Sequence, residues 1–288
     1  MRAQPFYSII VVSLNPGDKL KSTLESIKKQ TFSEFEVIVK DGFSTDGSLE
    51  AARLLSQEWE RKEQGRSLKV IQKKDSGIYD AMNQGAEAAR GRYVYYLNCG
   101  DLFYSENVLQ EMADFIKDQD RKSGGHRPGI YYGNIFERLT GGKVASNPRM
   151  DAFGCFRNVP CHQACFYSGE LLMEHPFETG YKVRADYEQF LWCFFRKGSK
   201  EKVNFACKDI LVADYEGGGF SETRENKKIS AREHREITRR YMTKGELFRF
   251  RLIMALSLSG LRTRLAENKK TAGVYNQLKG IFYAYRRK

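Results

Sequence analysis

Short apolar runs alternate with helical segments through the first 100 residues, and this alternation limits the fold more than any other feature of the chain. The first run, Tyr7–Leu14, is rich in β-branched residues and ends at the turn sequence Asn15-Pro16-Gly17. Further runs of this kind occupy residues 35–39, 68–71 and 93–97, and apolar residues recur at helical spacing in 20–30, 48–59 and 78–90. Strands that alternate with helices imply right-handed βαβ units and a parallel sheet covered on both faces.

Polar side chains stand where each of these four predicted strands ends, at Asn15, Asp41, Asp75 and Asp101. A single Asp after a strand is usually a turn or cap residue. In open α/β sheets, however, ligands bind outside the carboxyl ends of the strands, so four such positions favour a binding site. The glycine-rich loops of dinucleotide-binding enzymes and P-loop NTPases are absent from the sequence, which argues against both classes.

If the site at the strand ends binds a nucleotide, its carboxylates and the phosphates are both negatively charged, and a divalent cation must lie between them. Mg²⁺ and Mn²⁺ are typically held by one or two carboxylates together with phosphate oxygens. Asp101, directly after the fourth predicted strand, is the best candidate ligand. A cation chelated by a diphosphate would make that diphosphate a good leaving group.

The positive charge of the chain is concentrated near its C-terminus. Residues 220–288 hold 18 Lys or Arg against 6 Asp or Glu, whereas the other 219 residues hold 30 of each sign. The whole formal excess of +12 therefore lies in the last quarter, which indicates a neutral body with a basic tail and disfavours a uniformly basic nucleic-acid-binding domain. Within that tail, arginines flank the apolar segment Leu247–Leu261, a pattern typical of an amphipathic helix on an anionic membrane surface. Nucleic-acid binding by the tail and self-association into a homodimer are the alternatives.

The cysteines and the apolar segments predict a cytoplasmic protein. Six cysteines without a C-x-x-C pair indicate reduced thiols. Cys155, Cys161, His162 and Cys165 could be considered as a zinc site, but their spacing matches no common zinc finger. No run of 18 apolar residues predicts a transmembrane helix, and residues 7–12 are too short for a signal peptide. We therefore expect peripheral attachment to the inner face of the plasma membrane.

Several motifs taken together resemble the family-2 glycosyltransferases of the GT-A fold. The most specific are Asp41-Gly-Phe-Ser-Thr-Asp-Gly47 and Gly77-Ile-Tyr-Asp-Ala-Met-Asn83. The resemblance continues, in order, through 89–91, 97–101, 160–163, 185–188 and 218–221. It implies the nucleotide-diphospho-sugar transferase fold, an α/β architecture with a mixed, mostly parallel central sheet flanked by helices. Residues 1–101 would then form the donor half, 102–220 the acceptor half and 221–288 a helical basic tail. The family members that are most similar build bacterial exopolysaccharide, capsule or lipopolysaccharide.

The resemblance also implies roles for individual residues. On the donor side, the uracil, ribose, diphosphate and sugar would be contacted by Ser13, Asn15, Asp41, Asp75, Asp80, Asn83 and Asn98. Asp101 matches the last acid of the metal-binding D-x-D region, although Asn98 and Gly100 stand where further acids are common. Asp186 matches the catalytic base of inverting members, and His162 matches a residue on the acceptor side.

The function implied by these roles is inverting transfer of a sugar from a UDP-sugar to a hydroxyl of a glycan or lipid-linked glycan, assisted by Mn²⁺ or Mg²⁺. A single displacement needs no enzyme nucleophile, but it needs one carboxylate within about 2.6–3.2 Å of the acceptor hydroxyl. A catalytically silent module that binds nucleotide-sugars or glycans is the alternative. For Asp186 the structural alternative is a residue that complements a helix dipole, and for His162 it is a buried histidine without a role in the reaction.

Overall fold

The computed structural model describes residues 4–62, 66–196, 202–218, 223–256 and 272–287. The strands are β1 Tyr7–Ser13, β2 Phe35–Asp41, β3 Arg66–Gln72, β4 Tyr93–Tyr96, β5 Leu102–Phe103, β6 Gly129–Glu137, β7 Gly142–Val144, β8 Cys165–Ser168 and β9 Asn204–Tyr215. The helices are α1 Asp18–Lys28, α2 Leu49–Lys62, α3 Ile78–Glu87, α4 Val108–Lys122, α5 Ala152–Arg157, α6 Gly169–Glu174, α7 Ala185–Phe195, α8 Arg224–Tyr241, α9 Lys244–Leu256 and α10 Ala272–Arg287. A 3₁₀ turn, His162–Ala164, precedes β8.

The strands of the described residues form one mixed sheet in the order β3-β2-β1-β4-β8-β6-β9-β5, with β7 paired to β6. The four N-terminal strands β1 to β4 are mutually parallel, which confirms the βαβ prediction. Beyond β4 the direction reverses, because β8 is antiparallel to both β4 and β6. The predicted fold class, a mixed α/β sheet flanked by helices, is therefore confirmed.

Alternate side chains of the central strands pack on opposite faces of the sheet, as the period of two along a strand requires. Ile9 of β1 belongs to the hydrophobic cluster under α1, α2 and α4, whereas its neighbour Ile10 belongs to the cluster under α3, α6 and α7. Tyr95 of β4 is fully buried and stacks on Phe103 and Phe166, with ring centroids 5.1 and 4.5 Å apart. The three β4 tyrosines, Tyr93, Tyr95 and Tyr96, are buried packing residues.

Helices α8 and α9 pack against the sheet domain even though the charge profile separates them from it. Ile237, Leu247 and Phe250 are buried in the same cluster as Phe156 of α5. Within the predicted helical tail, α8 and α9 are the first two helices, and the predicted amphipathic segment Leu247–Leu261 is helical as far as residue 256; Leu258 and Leu261 lie outside the described residues. In the described part of the chain, no helix combines the length and the apolar character that a membrane span needs.

Candidate active site

A cleft of about 460 Å³ opens at the carboxyl ends of β1 and β4. We call it the strand-end cleft. Residues that follow these strands line one side of it, and the 3₁₀ turn and the first turn of α7 line the other. Five of the predicted site residues line the cleft: Ser13, Asn98, Asp101, His162 and Asp186. The predicted donor residues Asn15, Asp41, Asp75, Asp80 and Asn83 lie outside the lining.

Asp41, at the end of β2, ties together the loops that follow β1 and β2. Its side chain is completely buried and accepts hydrogen bonds from the Ser13 hydroxyl at 2.8 Å and the Ser44 backbone N–H at 2.7 Å. Burial raises the pKa of Asp41, but the hydrogen bonds from Ser44 and Ser13 outweigh this and lower the pKa overall. Asn15 joins the same two loops, because its Oδ1 accepts the Thr45 N–H at 2.9 Å. These contacts fix the rim of the cleft on the β1–β2 side.

Asp75, Asp80 and Asn83 also hold neighbouring elements in place. Asp75 forms an ion pair with the fully buried ammonium group of Lys40. Asp80, in the first turn of α3, accepts the Ser76 N–H at 2.7 Å and so ties the residues before the helix to its first turn. The Asn83 carboxamide pairs with the backbone of Phe177, donating at 2.8 Å and accepting at 2.9 Å. These three side chains therefore orient α3 beneath the cleft.

Asp186 lies in the first turn of α7, and its carboxylate is held from three directions. Oδ1 is 2.8 Å from the hydroxyl of Tyr79 and accepts the Tyr187 N–H at 2.9 Å. Oδ2 is 3.3 Å from Nδ1 of His162. Burial raises the pKa of Asp186, but the bonds from His162, Tyr79 and Tyr187 outweigh it and keep the pKa below its ordinary value. The side chain is 22% exposed, so the cleft contains a charged carboxylate that a ligand can reach.

His162 connects Asp186 to the end of β4. Its second ring nitrogen, Nε2, is 3.2 Å from Nδ2 of Asn98. An imidazole that carries its proton on Nδ1 satisfies both neighbours, because it donates to Asp186 and accepts from Asn98. The His162 side chain is 16% exposed and lines the cleft. It is therefore neither isolated in the core nor free to rotate.

Asp101 accepts the backbone N–H of Glu216 and the side-chain amide of Gln163, each at 2.9 Å. Burial is the largest influence on this carboxyl, and it raises the pKa of Asp101. Beside it, Oδ1 of Asn98 is buried without a hydrogen-bond partner. Among the residues that the structure describes, no three His, Cys, Asp or Glu side chains are grouped to enclose a metal, so the zinc alternative at Cys155, Cys161, His162 and Cys165 gains no support.

One carboxylate and one carboxamide oxygen nevertheless fit a cation of the Mg²⁺ type. Such an ion keeps several waters and takes further ligands from phosphate oxygens, so it does not need an all-protein cage. Asn98, whose Oδ1 has no hydrogen-bond partner, and Asp101 are both among the residues that line the cleft. The residues present therefore match an ion held mostly by the diphosphate.

Glu233 of α8 was not among the predicted site residues, yet it holds the loop before Asp186. Its buried carboxylate accepts three consecutive backbone N–H groups, those of Lys182, Val183 and Arg184, at 2.8, 3.0 and 2.9 Å. Charge-assisted hydrogen bonds of this kind are about twice as strong as neutral ones. In the sequence Glu233 is one acid within a charged helix, and nothing in its spacing distinguishes it from the others.

The chain has relatives of known family. The model of glycosyl transferase family 2 matches residues 8–173. A PGL/p-HBAD biosynthesis glycosyltransferase of Mycobacterium tuberculosis is 33% identical over 233 residues, which are 80% of this chain and 84% of the relative. The matched family range includes Asp41, Asp75, Asp101 and His162 but ends before Asp186.

Solved structures with the GT-A fold are similar to this chain. S. aureus TarS 1–349 in complex with UDP gives a TM-score of 0.58 at 16% identity, over 90% of this chain and 78% of that one. In another structure of that fragment the superposition covers 73% of this chain and 60% of the fragment, with a TM-score of 0.56. A third match is glucosyl-3-phosphoglycerate synthase of Mycobacterium tuberculosis, solved in complex with Mn²⁺, UDP and glucosyl-3-phosphoglycerate. Its TM-score is 0.55 at 17% identity, and the superposition covers 83% of this chain and 81% of the synthase chain. At these identities the likeness shows the fold alone.

Proposed function

This chain belongs to glycosyltransferase family 2 and has the GT-A fold, and on that premise we propose that it transfers a sugar, with inversion, from a UDP-sugar to a hydroxyl of a glycan or lipid-linked glycan. The observation that carries the proposal is the position of Asp186. Its charged, partly exposed carboxylate lines the strand-end cleft together with Ser13, Asn98 and Asp101. A base on one side and donor residues on the other are what a single displacement requires.

In this proposal Asp186 accepts the proton of the acceptor hydroxyl as that oxygen attacks the anomeric carbon. A general base must be deprotonated before the reaction, and the hydrogen bonds that lower the pKa of Asp186 keep it so. His162 positions the carboxylate through Oδ2 while its other nitrogen is held by Asn98. The donor half would be residues 1–101 and the acceptor half 102–220, since these two ranges supply the two sides of the cleft.

Asp101 and Asn98 would hold a Mn²⁺ or Mg²⁺ ion against the donor diphosphate. A bound ion would supply positive charge to the leaving UDP. The shared fold supports such an ion, because a GT-A neighbour has been solved with both Mn²⁺ and UDP. Ser13, Asn15, Asp41, Asp75, Asp80 and Asn83 are proposed to bind or shape the site for the rest of the donor.

We also propose that the protein attaches to a membrane, which would bring it close to a lipid-linked acceptor. Helix α9 exposes Phe248, Leu252 and Leu256 to solvent, with exposures of 71%, 49% and 76%. Arg249 and Arg251 stand between these apolar residues in the sequence. Apolar residues interleaved with arginine suit the surface of an anionic leaflet. We therefore place the enzyme peripherally on the inner face of the plasma membrane, where lipid-linked glycans of cell-surface polysaccharides are assembled.

Calorimetry with UDP, GDP and dTDP, each with and without Mn²⁺, tests the donor. We expect UDP to bind most tightly and Mn²⁺ to strengthen its binding. A screen of the matching nucleotide-sugars for hydrolysis separates an enzyme from a silent binding module, since a silent module would bind UDP without releasing sugar. Binding to oligonucleotides but to none of the three nucleoside diphosphates would refute the proposal and favour the nucleic-acid alternative.

A further inference from the structure

A second cavity, of about 390 Å³, lies on the other side of Asp186. We call it the basic cavity. Asp186, Cys161 and Val183 line both this cavity and the strand-end cleft, so they form the wall between the two. The remaining lining comes from β6, from β7 and the residues after it, from α5 and the loop after it, from Arg184 and α7, and from α8 and α10. A molecule in the basic cavity would therefore meet the carboxylate of Asp186 from the side opposite the donor residues.

Three cationic side chains and one acidic side chain line the basic cavity. The cations are Arg157, Arg184 and Lys279, and the acid is Asp186 itself. In the parts of the chain that the structure describes, Arg157 forms no hydrogen bond or ion pair, and its guanidinium lies 5.9 Å from the Phe153 ring. Arg184 uses its Nε to donate to Ser230, at 2.7 Å to the hydroxyl and 3.0 Å to the carbonyl. The terminal amino groups of Arg184 have no hydrogen-bond partner among the described residues, so they are available to donate to a ligand in the cavity.

Lys279 reaches this cavity from the C-terminal helix. Helix α10 packs against β7. Burial and the nearby Arg157 guanidinium lower the pKa of Lys279 to about 8. Because these two cations lie near each other, an anion that binds between them would be stabilised by both charges.

We propose that the basic cavity binds an anionic group of the acceptor, either a phosphate or a sugar carboxylate, next to the hydroxyl that Asp186 deprotonates. This inference rests on the proposed function, because it takes Asp186 as the base. The negative charge of Asp186 would repel an anionic acceptor, and the three cations offset that repulsion. An uncharged sugar would gain nothing from them, so the cavity selects for charge. Its volume suits a monosaccharide with a charged substituent.

The test measures binding of small probes to the full-length protein saturated with UDP and Mg²⁺, which occupies the strand-end cleft. The probes are inorganic phosphate, methyl glucuronide and the neutral methyl glucoside, followed by ligand-observed NMR. We expect at least one anionic probe to bind about tenfold more tightly than the glucoside. Arg157→Gln should weaken the binding of that probe by about tenfold, as expected for the loss of one charge-assisted hydrogen bond. Lys279→Gln should act in the same direction. A preference for phosphate would indicate a phosphorylated or diphosphate-linked acceptor, and a preference for the glucuronide would indicate a uronic acid.

Arg149→Gln is the matched control, because Arg149 is an exposed arginine that precedes α5 and does not line the cavity. It should leave all three probes unchanged. Equal binding of charged and neutral probes, or an Arg157→Gln variant that binds anions as well as the parent does, would overturn the inference. UDP titrations of the same samples keep the two proposals apart: if UDP binds and the anions do not, only the anionic acceptor is refuted. If UDP itself does not bind, the proposed donor fails.

Discussion

The imidazole Nδ1 of His162 lies 3.3 Å from the carboxylate Oδ2 of Asp186. The two residues come from different sequence motifs, one before β8 and the other in the first turn of α7. Their contact, together with the bond from Tyr79, fixes both carboxylate oxygens of Asp186. A base held in this way has little freedom to turn away from an incoming hydroxyl. The predictions below begin with this carboxylate.

Asp186→Asn should reduce sugar transfer and donor hydrolysis by about 10²- to 10⁴-fold, the usual contribution of a general base. The amide keeps the size of the side chain but cannot accept a proton at neutral pH. UDP affinity, measured by calorimetry, should stay close to that of the parent protein, because the base acts on the acceptor. Turnover close to the parent value in the variant would show that the base has been assigned to the wrong residue.

Asp101→Asn should remove the effect of Mn²⁺ on UDP binding. The parent protein and the variant are titrated with UDP in the presence of Mn²⁺ and again in the presence of a chelator. We expect the two proteins to differ only when the ion is present, because a neutral carboxamide is a weaker ligand for Mn²⁺ than a carboxylate. A variant that binds UDP weakly with and without Mn²⁺ would instead indicate that Asp101 supports the fold through Glu216 and Gln163.

Glu233→Gln should lower kcat while leaving UDP affinity unchanged. The amide offers one acceptor oxygen to three backbone N–H groups, so the loop that precedes Asp186 loses part of its support. We expect a loss of about 1–3 kcal/mol in unfolding free energy, the usual cost of leaving buried donors unpaired. Glu225→Gln is the control, since Glu225 is an exposed acid in the same helix. An equal change in both variants would assign the effect to the charge of α8.

The stability of the protein should fall as the pH drops from about 6.5 towards 4. Burial, with a contribution from Arg184, lowers the pKa of His234 to about 4, and its Nε2 donates to the Phe156 carbonyl at 2.8 Å. Over this pH range the unfolded chain, in which the His pKa is near 6.5, binds a proton at His234, whereas the folded chain does not. His234 should therefore make the free energy of unfolding, measured with denaturant, about 1 kcal/mol lower at pH 5.5 than at pH 7.5. In His234→Gln the difference in unfolding free energy between the two pH values should decrease by that amount. If the difference does not change, other titratable groups cause it.

Replacing Phe248, Leu252 and Leu256 of α9 with serine should weaken binding to vesicles that contain anionic lipid. The side chains are exposed, so the substitutions leave the buried Leu247 and Phe250 in place. Truncation before α9 would be a poorer test, because it would remove those two core residues. Sedimentation with vesicles should also decrease with salt, since exposed charges are screened beyond about 8–10 Å. If parent and variant sediment equally, the surface is better explained by self-association.

The first 100 residues could be predicted from the sequence because their strands and helices are encoded locally. Apolar β-branched runs gave β1 to β4, and helical periodicity gave α1 to α3. Helix α3 ends at Glu87, three residues before the predicted end, because the chain turns there into β4. Helix α4 was missed although Val108, Met112 and Ile116 carry its period. By contrast, β8 and α6 are too short to carry a period, and their pairing partners decide their structure.

The candidate site could be predicted only as separate motifs. Asp186 and His162 were predicted individually, but their contact joins positions 24 residues apart, and nothing in the local sequence encodes that distance. The support from Glu233 spans about 50 residues and comes from a helix whose charge suggested only a solvated face. Contacts of this kind depend on how α7 and α8 pack, and a single sequence does not record that packing.

The hydroxyl of Tyr79 has one proton and two acceptors, the Asp186 carboxylate at 2.8 Å and the Val183 carbonyl at 2.7 Å. Burial, followed by the Asp186 charge, raises the pKa of Tyr79 well above its ordinary value, so the phenol stays neutral. While Asp186 is charged, the proton is best placed towards the carboxylate. Once the carboxyl is protonated, the same hydroxyl can rotate to the carbonyl and accept from the acid. A rotation of one O–H bond would thus let the protein accommodate both charge states of the base without moving its backbone.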